Sequence, residues 1–493
     1  MDERIMLEGG GIVHYFRNIR EQIVGINHYV STPYGYKKLI YFDWTASGRL
    51  FYPIEEKMLH VVGPMIANTH TESNSTGSFM TNLYLESLQK IKKHVNANSE
   101  DVIITEGSGC TTVINKFQRI LGLKVPERFQ HLVKLEGKKK PVIFLSHMEH
   151  HSNQTSWMET IADVVIVEPT LRENVKPEYL RELLSKYNDR DLKIGSFTAC
   201  SNVTGVVPPY HELAKIMHEH GGYCFVDFVA SAPYVHMNMH PEDPMEKLDA
   251  IFFSPHKFLG GPGSCGVLIF DSKLYSNTIP DHPGGGTVVW TNPWGGKKYF
   301  DSIEAREDGG TPNFLQTVRA ALAVSLKDEM LLNGMYERKN DLLDYLWSEL
   351  TKIEEVVIFE RNDKDRLCII SFYIENTHYN LVVKLLDERF GIQVRGGCSC
   401  AGTYGHYLLK ITPSNSKKIT DQLDSGNMAE KPGWVRVSLH PTNTTDEIDV
   451  FIFAINEIIE NYQEWKKDYI FDPSTNEFTH KAYVEPSFMN FFA

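Results

Sequence analysis

The stretch Ala250-Ile251-Phe252-Phe253-Ser254-Pro255-His256-Lys257-Phe258-Leu259-Gly260-Gly261-Pro262-Gly263-Ser264-Cys265-Gly266-Val267-Leu268-Ile269-Phe270 reads as two apolar runs joined by a glycine-rich turn that carries a lysine. The runs Ala250–Ser254 and Gly266–Phe270 are rich in Phe, Ile and Val on both alternating faces, which predicts strands covered on both sides. Working outward, the same signature recurs at Val102–Thr105, Val142–Ser146, Val164–Val167, Ile194–Thr198 and Tyr223–Asp227. Helical patterns lie between these runs, such as Glu212–His220 after Pro208-Pro209. A βαβ rhythm of this kind predicts a doubly wound α/β domain with a mostly parallel sheet over residues 45–310. A long helical stretch from Asn313 to Leu350 leads into a smaller α+β domain over 311–467, with strands at Val356–Phe359, Cys368–Ile374, Val394–Arg395 and Trp434–Leu439. Residues 1–44 are expected to join that smaller domain. Lys410–Pro432 reads as an inserted mobile loop, and 468–493 as an irregular tail whose Phe488, Phe491 and Phe492 dock on the surface.

Composition narrows the function classes. A chain of 493 residues, 42% hydrophobic and 23% charged, is an ordinary globular mixture with room for two or three domains. Its net charge of -13 and the lack of any basic run beyond Lys138-Lys139-Lys140 argue against nucleic acid or an anionic membrane surface as partner. No apolar run reaches the ~18 residues of a membrane span. Met1 to Gly11 carries Asp2, Glu3 and Glu8 and has no apolar signal core. Seven cysteines, an odd number in so long a chain, do not make a disulfide framework, so a reducing cytoplasm is the expected compartment.

Five pieces of the sequence carry chemistry. Lys257 lies between two core strands, where a lysine is costly to bury without a task. With a lowered pKa such an amine forms Schiff bases, although alone it reads as a solvated turn lysine. Asp227 closes the run Tyr223-Cys224-Phe225-Val226, at a strand end where α/β folds bind ligands, or else it caps a helix. Glu106-Gly107-Ser108-Gly109-Cys110-Thr111-Thr112 is a glycine turn into a helix, suited to a phosphate but lacking the Lys-Ser/Thr pair of a Walker motif. Glu149-His150-His151-Ser152-Asn153 offers a flat imidazole that can stack on a ring or relay protons. With His147 the rival is a metal, but no carboxylate or cysteine spacing accompanies it and none is expected. Finally, Arg395-Gly396-Gly397-Cys398-Ser399-Cys400-Ala401-Gly402 holds two cysteines that read as metal ligands, core fillers or nucleophiles. A single C-x-C is a poor zinc signal, and a nucleophilic thiol on a mobile loop suits the spacing better.

Taken together, these residues resemble the class V aminotransferase family of fold-type I pyridoxal-phosphate (PLP) enzymes, and within it the SUF-type cysteine desulfurases and selenocysteine lyases. The likeness runs from Tyr41-Phe42-Asp43 to Arg436. It implies that Lys257 is the Schiff-base lysine, that Asp227 pairs with the ring nitrogen and that His150 stacks on the ring. It implies a phosphate site from Gly109, Cys110 and Thr111 with Ser254 and His256, and a cofactor- and substrate-contacting Asn202. Thr311, in Gly309-Gly310-Thr311-Pro312-Asn313, matches the threonine that reaches the phosphate of a neighbouring subunit, which implies a homodimer with shared sites. The desulfurase loop Arg-x-Gly-x-x-Cys-Ala falls on Arg395, Gly397, Cys400 and Ala401, making Cys400 the sulfur acceptor. Arg395 and Arg436 become substrate-binding residues, Arg436 for the α-carboxylate. The chain departs from the pattern at Ala230, where the family has Gln, and at Thr403, where it often has Pro. It departs again at Cys398-Ser399, where desulfurases usually have His-His; this resembles the N-terminal domain of molybdenum-cofactor sulfurases. Lys410–Pro432 is an unusually long insertion.

The expected activity is therefore PLP-dependent removal of sulfur from L-cysteine, giving alanine and an enzyme persulfide for a sulfur-acceptor protein. Lys257 and His150 would carry protons and Cys400 the sulfur. The alternatives are an aminotransferase, lyase or epimerase of the same family, and a non-catalytic assembly protein on the same scaffold.

Overall fold

A computed structural model describes residues 10–135, 139–169, 175–363, 365–484 and 491. The apolar runs assemble into one seven-stranded sheet in the order Asp101–Glu106, Gly266–Asp271, Ala250–Phe253, Tyr223–Asp227, Lys193–Thr198, Val142–Ser146, Asp163–Val167. All are parallel except Gly266–Asp271, which runs antiparallel to both neighbours. The double-sided apolar pattern has the expected cause, since helices cover both faces. Cys224 and Val226 face a core that includes Leu88, Leu213 and Val324 of helices Ser75–His94, Tyr210–Glu219 and Phe314–Leu332. Phe225 faces Phe117 and Trp157 of helices Cys110–Ile120 and His151–Met158. This is the α/β architecture read from the sequence, with a large, mostly parallel central sheet.

A second, antiparallel sheet orders its strands Val356–Ile358, Ile369–Ile374, Trp434–Ser438, Arg395–Gly397. Helices Met335–Leu350, Tyr379–Phe390 and Thr445–Trp465 cover it with a core of their own. The strand Ile40–Tyr41 pairs in parallel with Ile392–Gln393, and Asp43 bridges to Ser438. The N-terminal segment thus reaches the antiparallel sheet. Among the described residues no helix is long and apolar enough to cross a membrane.

Three expectations need correction. The helical stretch Asn313–Leu350 is two helices, Phe314–Leu332 and Met335–Leu350. They part at Gly334, whose φ of 85° is left-handed. The supposed loop Lys410–Pro432 contains a helix, Pro413–Asp424, with Thr412 capping it and Pro413 opening it. Its polar composition hid it, because none of its residues is buried. The supposedly irregular tail begins with a hairpin, Tyr469–Asp472 against Glu477–His480, and buries Tyr469 and Phe478. Of the three phenylalanines expected to dock, Phe488 and Phe492 lie outside the described residues and Phe491 is exposed.

Close packing fixes the turn that carries Lys257. Gly48 N–H donates to His256 O at 3.0 Å, and a Cβ on Gly48 would lie 2.0 Å from Phe258 O. A Cβ on Gly261 would lie 1.8 Å from Pro255 O. Backbone blocks both positions, so a methyl group there must displace the turn. Gly48→Ala should cost about 1–3 kcal/mol of stability, as overpacking does. A denaturant titration reads this directly, and an unchanged midpoint would mean that the turn yields freely.

Candidate active site

The carboxyl ends of the parallel strands open onto a cavity of about 350 Å³. Lys257 lies just beyond strand Ala250–Phe253, Asp227 ends Tyr223–Asp227, Asn202 follows Lys193–Thr198, and His150 follows Val142–Ser146. All four line the cavity. So do Gly109, Cys110, Thr111, Ser254, His256, Arg395, Cys400 and Arg436, every residue expected at the site save one. Thr311 instead lines a wider opening of about 840 Å³ that adjoins the cavity through Ser108 and His256.

One wall is built for an anion. Helix Cys110–Ile120 begins at Gly109 with no side-chain cap, so its positive end faces the cavity. Ser254 Oγ accepts the Cys110 N–H at 2.8 Å, and Thr111 Oγ1 lies 2.7 Å from Ser152 Oγ. A Cβ on Gly109 would sit 3.2 Å from Ser254 Oγ and 3.5 Å from His256 Nε2. Glycine keeps that cradle open. The histidine triplet does not converge. His150 Nδ1 accepts Ser152 N–H at 3.1 Å, leaving Nε2 as the protonated nitrogen of the neutral ring. The His151 ring accepts Gly402 N–H at 3.0 Å. His147 is buried edge-on to Tyr404 and Tyr407.

Burial moves the ionisable groups in opposite directions. Lys257 falls to about 8, first through desolvation and then through Arg436. Desolvation lifts Asp227 to about 6, against a Val229 N–H that binds Oδ1 at 2.8 Å and the nearby Lys257 amine. His150 drops to about 3 and His256 to about 4, through burial and then the Lys257 charge. The Cys110 thiol is pushed well up by burial. Amine and carboxylate are thus both brought nearer neutrality, as happens at functional sites.

Two acidic residues at the site were missed as functional candidates. Asp43 accepts Arg436 Nη2 on Oδ1 at 2.8 Å and pairs with Arg395 Nη2 through Oδ2 at 2.9 Å. Arg436 Nη1 also donates to Asn202 O at 3.0 Å. Glu149 is buried and raised to about 7 by desolvation. It accepts Ser146 Oγ at 2.5 Å, Thr198 N–H at 2.9 Å and Asn153 Nδ2 at 2.7 Å, tying together the chain ends that carry His150 and Asn202. Asp43 gave no local signal, since its partners lie more than three hundred residues away. Glu149 was visible as an acid directly before the histidine pair. Three buried side-chain atoms on the cavity wall have no hydrogen-bond partner among the described residues: Thr45 Oγ1, Ser399 Oγ and Arg436 Nε. Unsatisfied polar atoms at that density suit a polar ligand.

The shared carboxylate makes a testable contrast. Asp43→Ala leaves the buried Arg436 charge uncompensated and should cost about 3–5 kcal/mol. Arg395 is 51% exposed, and Arg395→Ala should cost no more than about 1 kcal/mol. Denaturant titration of both variants checks this; equal losses would refute the assignment of Asp43 to Arg436.

Comparison with known proteins identifies the fold and the family. The family model Aminotransferase class-V matches residues 40–451. A probable cysteine desulfurase of Synechocystis is 24% identical, covering 86% of this chain and 92% of its own. One of Halalkalibacterium halodurans is 26% identical over 74% of this chain and 84% of its own. The apo structure of a cysteine desulfurase from Thermococcus onnurineus superposes with a TM-score of 0.71 at 22% identity, covering 90% of this chain and 98% of that one. A cysteine desulfurase of Escherichia coli in an S-sulfonic acid form gives 0.70 at 21% identity with the same coverage. The family match spans most of the chain, which belongs to the class-V aminotransferase family.

Proposed function

We propose that this chain is a PLP-dependent cysteine desulfurase, taking sulfur from L-cysteine and releasing alanine. The observation that carries the reading is a single cavity holding Lys257, Asp227, Arg436 and Cys400. PLP is the cofactor of the family. The residues fit it: a lysine of lowered pKa, a buried carboxylate, an uncapped helix end with a glycine cradle, and unpartnered polar atoms on the wall. Lys257 would anchor the cofactor and Asp227 would hold the proton on its ring nitrogen. His150 would lie against the ring, and Gly109, Cys110, Thr111, Ser254 and His256 would take the phosphate. When bound, PLP supplies an electron sink for the substrate's α-carbon.

The chain's own groups do the rest. Arg436, held by Asp43 and Asn202, offers a buried guanidinium to the α-carboxylate. Lys257, neutral above about pH 8, takes and returns protons at the substrate carbons. Cys400, exposed on its loop, attacks the substrate sulfur as thiolate. The new S–S bond replaces the C–S bond, the carbon keeps the electron pair and is protonated, and alanine leaves a persulfide on Cys400. In this reading the working unit is a homodimer in which Thr311 serves the neighbouring site, and an acceptor protein receives the sulfur in the cytoplasm.

Two measurements test the proposal. PLP trapped with borohydride should label Lys257, and the capture rate by cofactor-free protein should rise with pH through about 8 and level off above it. The sign follows from the lowered pKa, because only the neutral amine is a nucleophile; Asp227, Cys110 and Asp43 oppose the lowering but do not reverse it. A label on another lysine sinks the anchor. With L-cysteine, the purified protein should yield sulfide and alanine, and Cys400→Ser should abolish sulfide while keeping the cofactor absorbance. Sulfide at the wild-type rate from that variant would favour aminotransferase or lyase chemistry instead.

A further inference from the structure

The loop between strand Arg395–Gly397 and helix Gly402–Leu408 carries a second thiol, Cys398, that the proposed reaction does not use. Ala401 N–H donates to Cys398 O at 3.0 Å, which closes a four-residue turn. Its two central residues, Ser399 and Cys400, have φ of 52° and 57°. Both are left-handed, the type I′ form normally reserved for Gly, Asn or Asp. Neither residue adopts that form without strain, and strain of this kind clusters where chemistry needs it. The surroundings hold the turn in place. Asn202 Nδ2 donates to Ser399 O at 2.7 Å, and His151 N–H donates to Cys400 O at 2.8 Å.

The turn holds two thiols, two residues apart, in different settings. Cys398 is half-buried and packs against the main core, whereas Cys400 is exposed and lines the cavity. Two virtual bonds of ~3.8 Å bent by a left-handed residue keep the Cα atoms of 398 and 400 inside the ~4.4–6.8 Å span of a disulfide. Gly397, the last residue of the paired strand, has φ of 97° and open space where a Cβ would stand, so no side chain crowds the residue before Cys398.

We propose that Cys398 is a resolving thiol. It rests on the reading of Cys400 as sulfur acceptor. Cys398, as thiolate, attacks the Cys400 Sγ of the persulfide. A Cys398–Cys400 disulfide forms, the outer sulfur leaves as hydrosulfide with both electrons of the broken S–S bond, and no outside oxidant is consumed. Hydrosulfide leaves more readily than a cysteine thiolate, which sets the direction of attack. A dithiol then reduces the disulfide and restores both thiols. Turnover would therefore draw on a dithiol reductant rather than only on a protein that lifts sulfur from Cys400.

The test uses the cofactor-bearing full chain, freshly reduced, desalted and kept anaerobic, with one equivalent of L-cysteine per chain and no added reductant. Wild type should release sulfide in step with alanine, and the peptide from Gly396 to Lys410 should become lighter by two hydrogens. In Cys398→Ser the same peptide should gain one sulfur at Cys400, and sulfide per alanine should fall at least roughly ten-fold until dithiothreitol is added. A persistent added sulfur on wild-type Cys400, or equal sulfide per alanine from both proteins, overturns the proposal. If no alanine forms, the desulfurase reading has failed, and loading Cys400 with inorganic trisulfide judges the relay alone. A disulfide with sulfide release then supports it, and a lasting persulfide on Cys400 overturns it.

Discussion

A single carboxylate, Asp43, is shared by two guanidinium groups, and the arrangement of the cavity depends on it. Arg436 is buried in the antiparallel sheet, where an unpaired charge is strongly unfavourable. Asp43 meets that charge from the segment after strand Ile40–Tyr41, which is itself stitched to Ile392–Gln393. The second carboxylate oxygen holds Arg395, the first residue of the edge strand that runs into the cysteine loop. One anion thus seats the buried arginine, locates the loop and draws the N-terminal segment against the antiparallel sheet.

The large sheet was legible because both faces of its central strands are covered, so apolar runs such as Tyr223–Asp227 stand out from polar surroundings. Strand ends then told where Lys257 and Asp227 lie. The motifs around His150, Gly109 and Cys400 were legible as local patterns, and the cavity holds them together. What the sequence hid follows from physics of a different range. Gly334 breaks one long helical pattern by a left-handed dihedral, and Ile12 packs where its Cβ would be. The helix Pro413–Asp424 buries nothing, so no periodicity marked it. The salt link from Asp43 to Arg395 and Arg436 joins the two ends of the chain and leaves no trace in either neighbourhood.

Around the cavity, low polarity acts on both signs of charge. The Lys257 amine and the Asp227 carboxylate are each pushed toward the neutral form, to about 8 and about 6. Glu149 behind them rises to about 7 although three donors hold it. An amine and two carboxyl groups brought this near neutrality can shift protons with little free-energy change, which is the condition for acid–base work, whereas the buried His150 and His256 rings stay neutral. Backbone donors hold Asp227 and Glu149 in place, and close-packed glycines hold the turn that carries Lys257.

The single antiparallel strand has a consequence for how the chain is made. Asp101–Glu106 lies at the sheet edge and pairs only with Gly266–Asp271, so it has no neighbour until that much later strand has been synthesised. Until then an apolar strand waits with unmatched amides, a hazard for self-association. The late strand must close the sheet over a long stretch of chain, which makes this step slow. The lysine turn immediately precedes it, and the uncapped helix end immediately follows its partner. Both sides of the anion cradle therefore come together through the same strand pairing. A nascent chain that stops short of Gly266–Asp271 lacks the strand that joins the two sides, so closure of the large sheet and completion of this wall are one structural event.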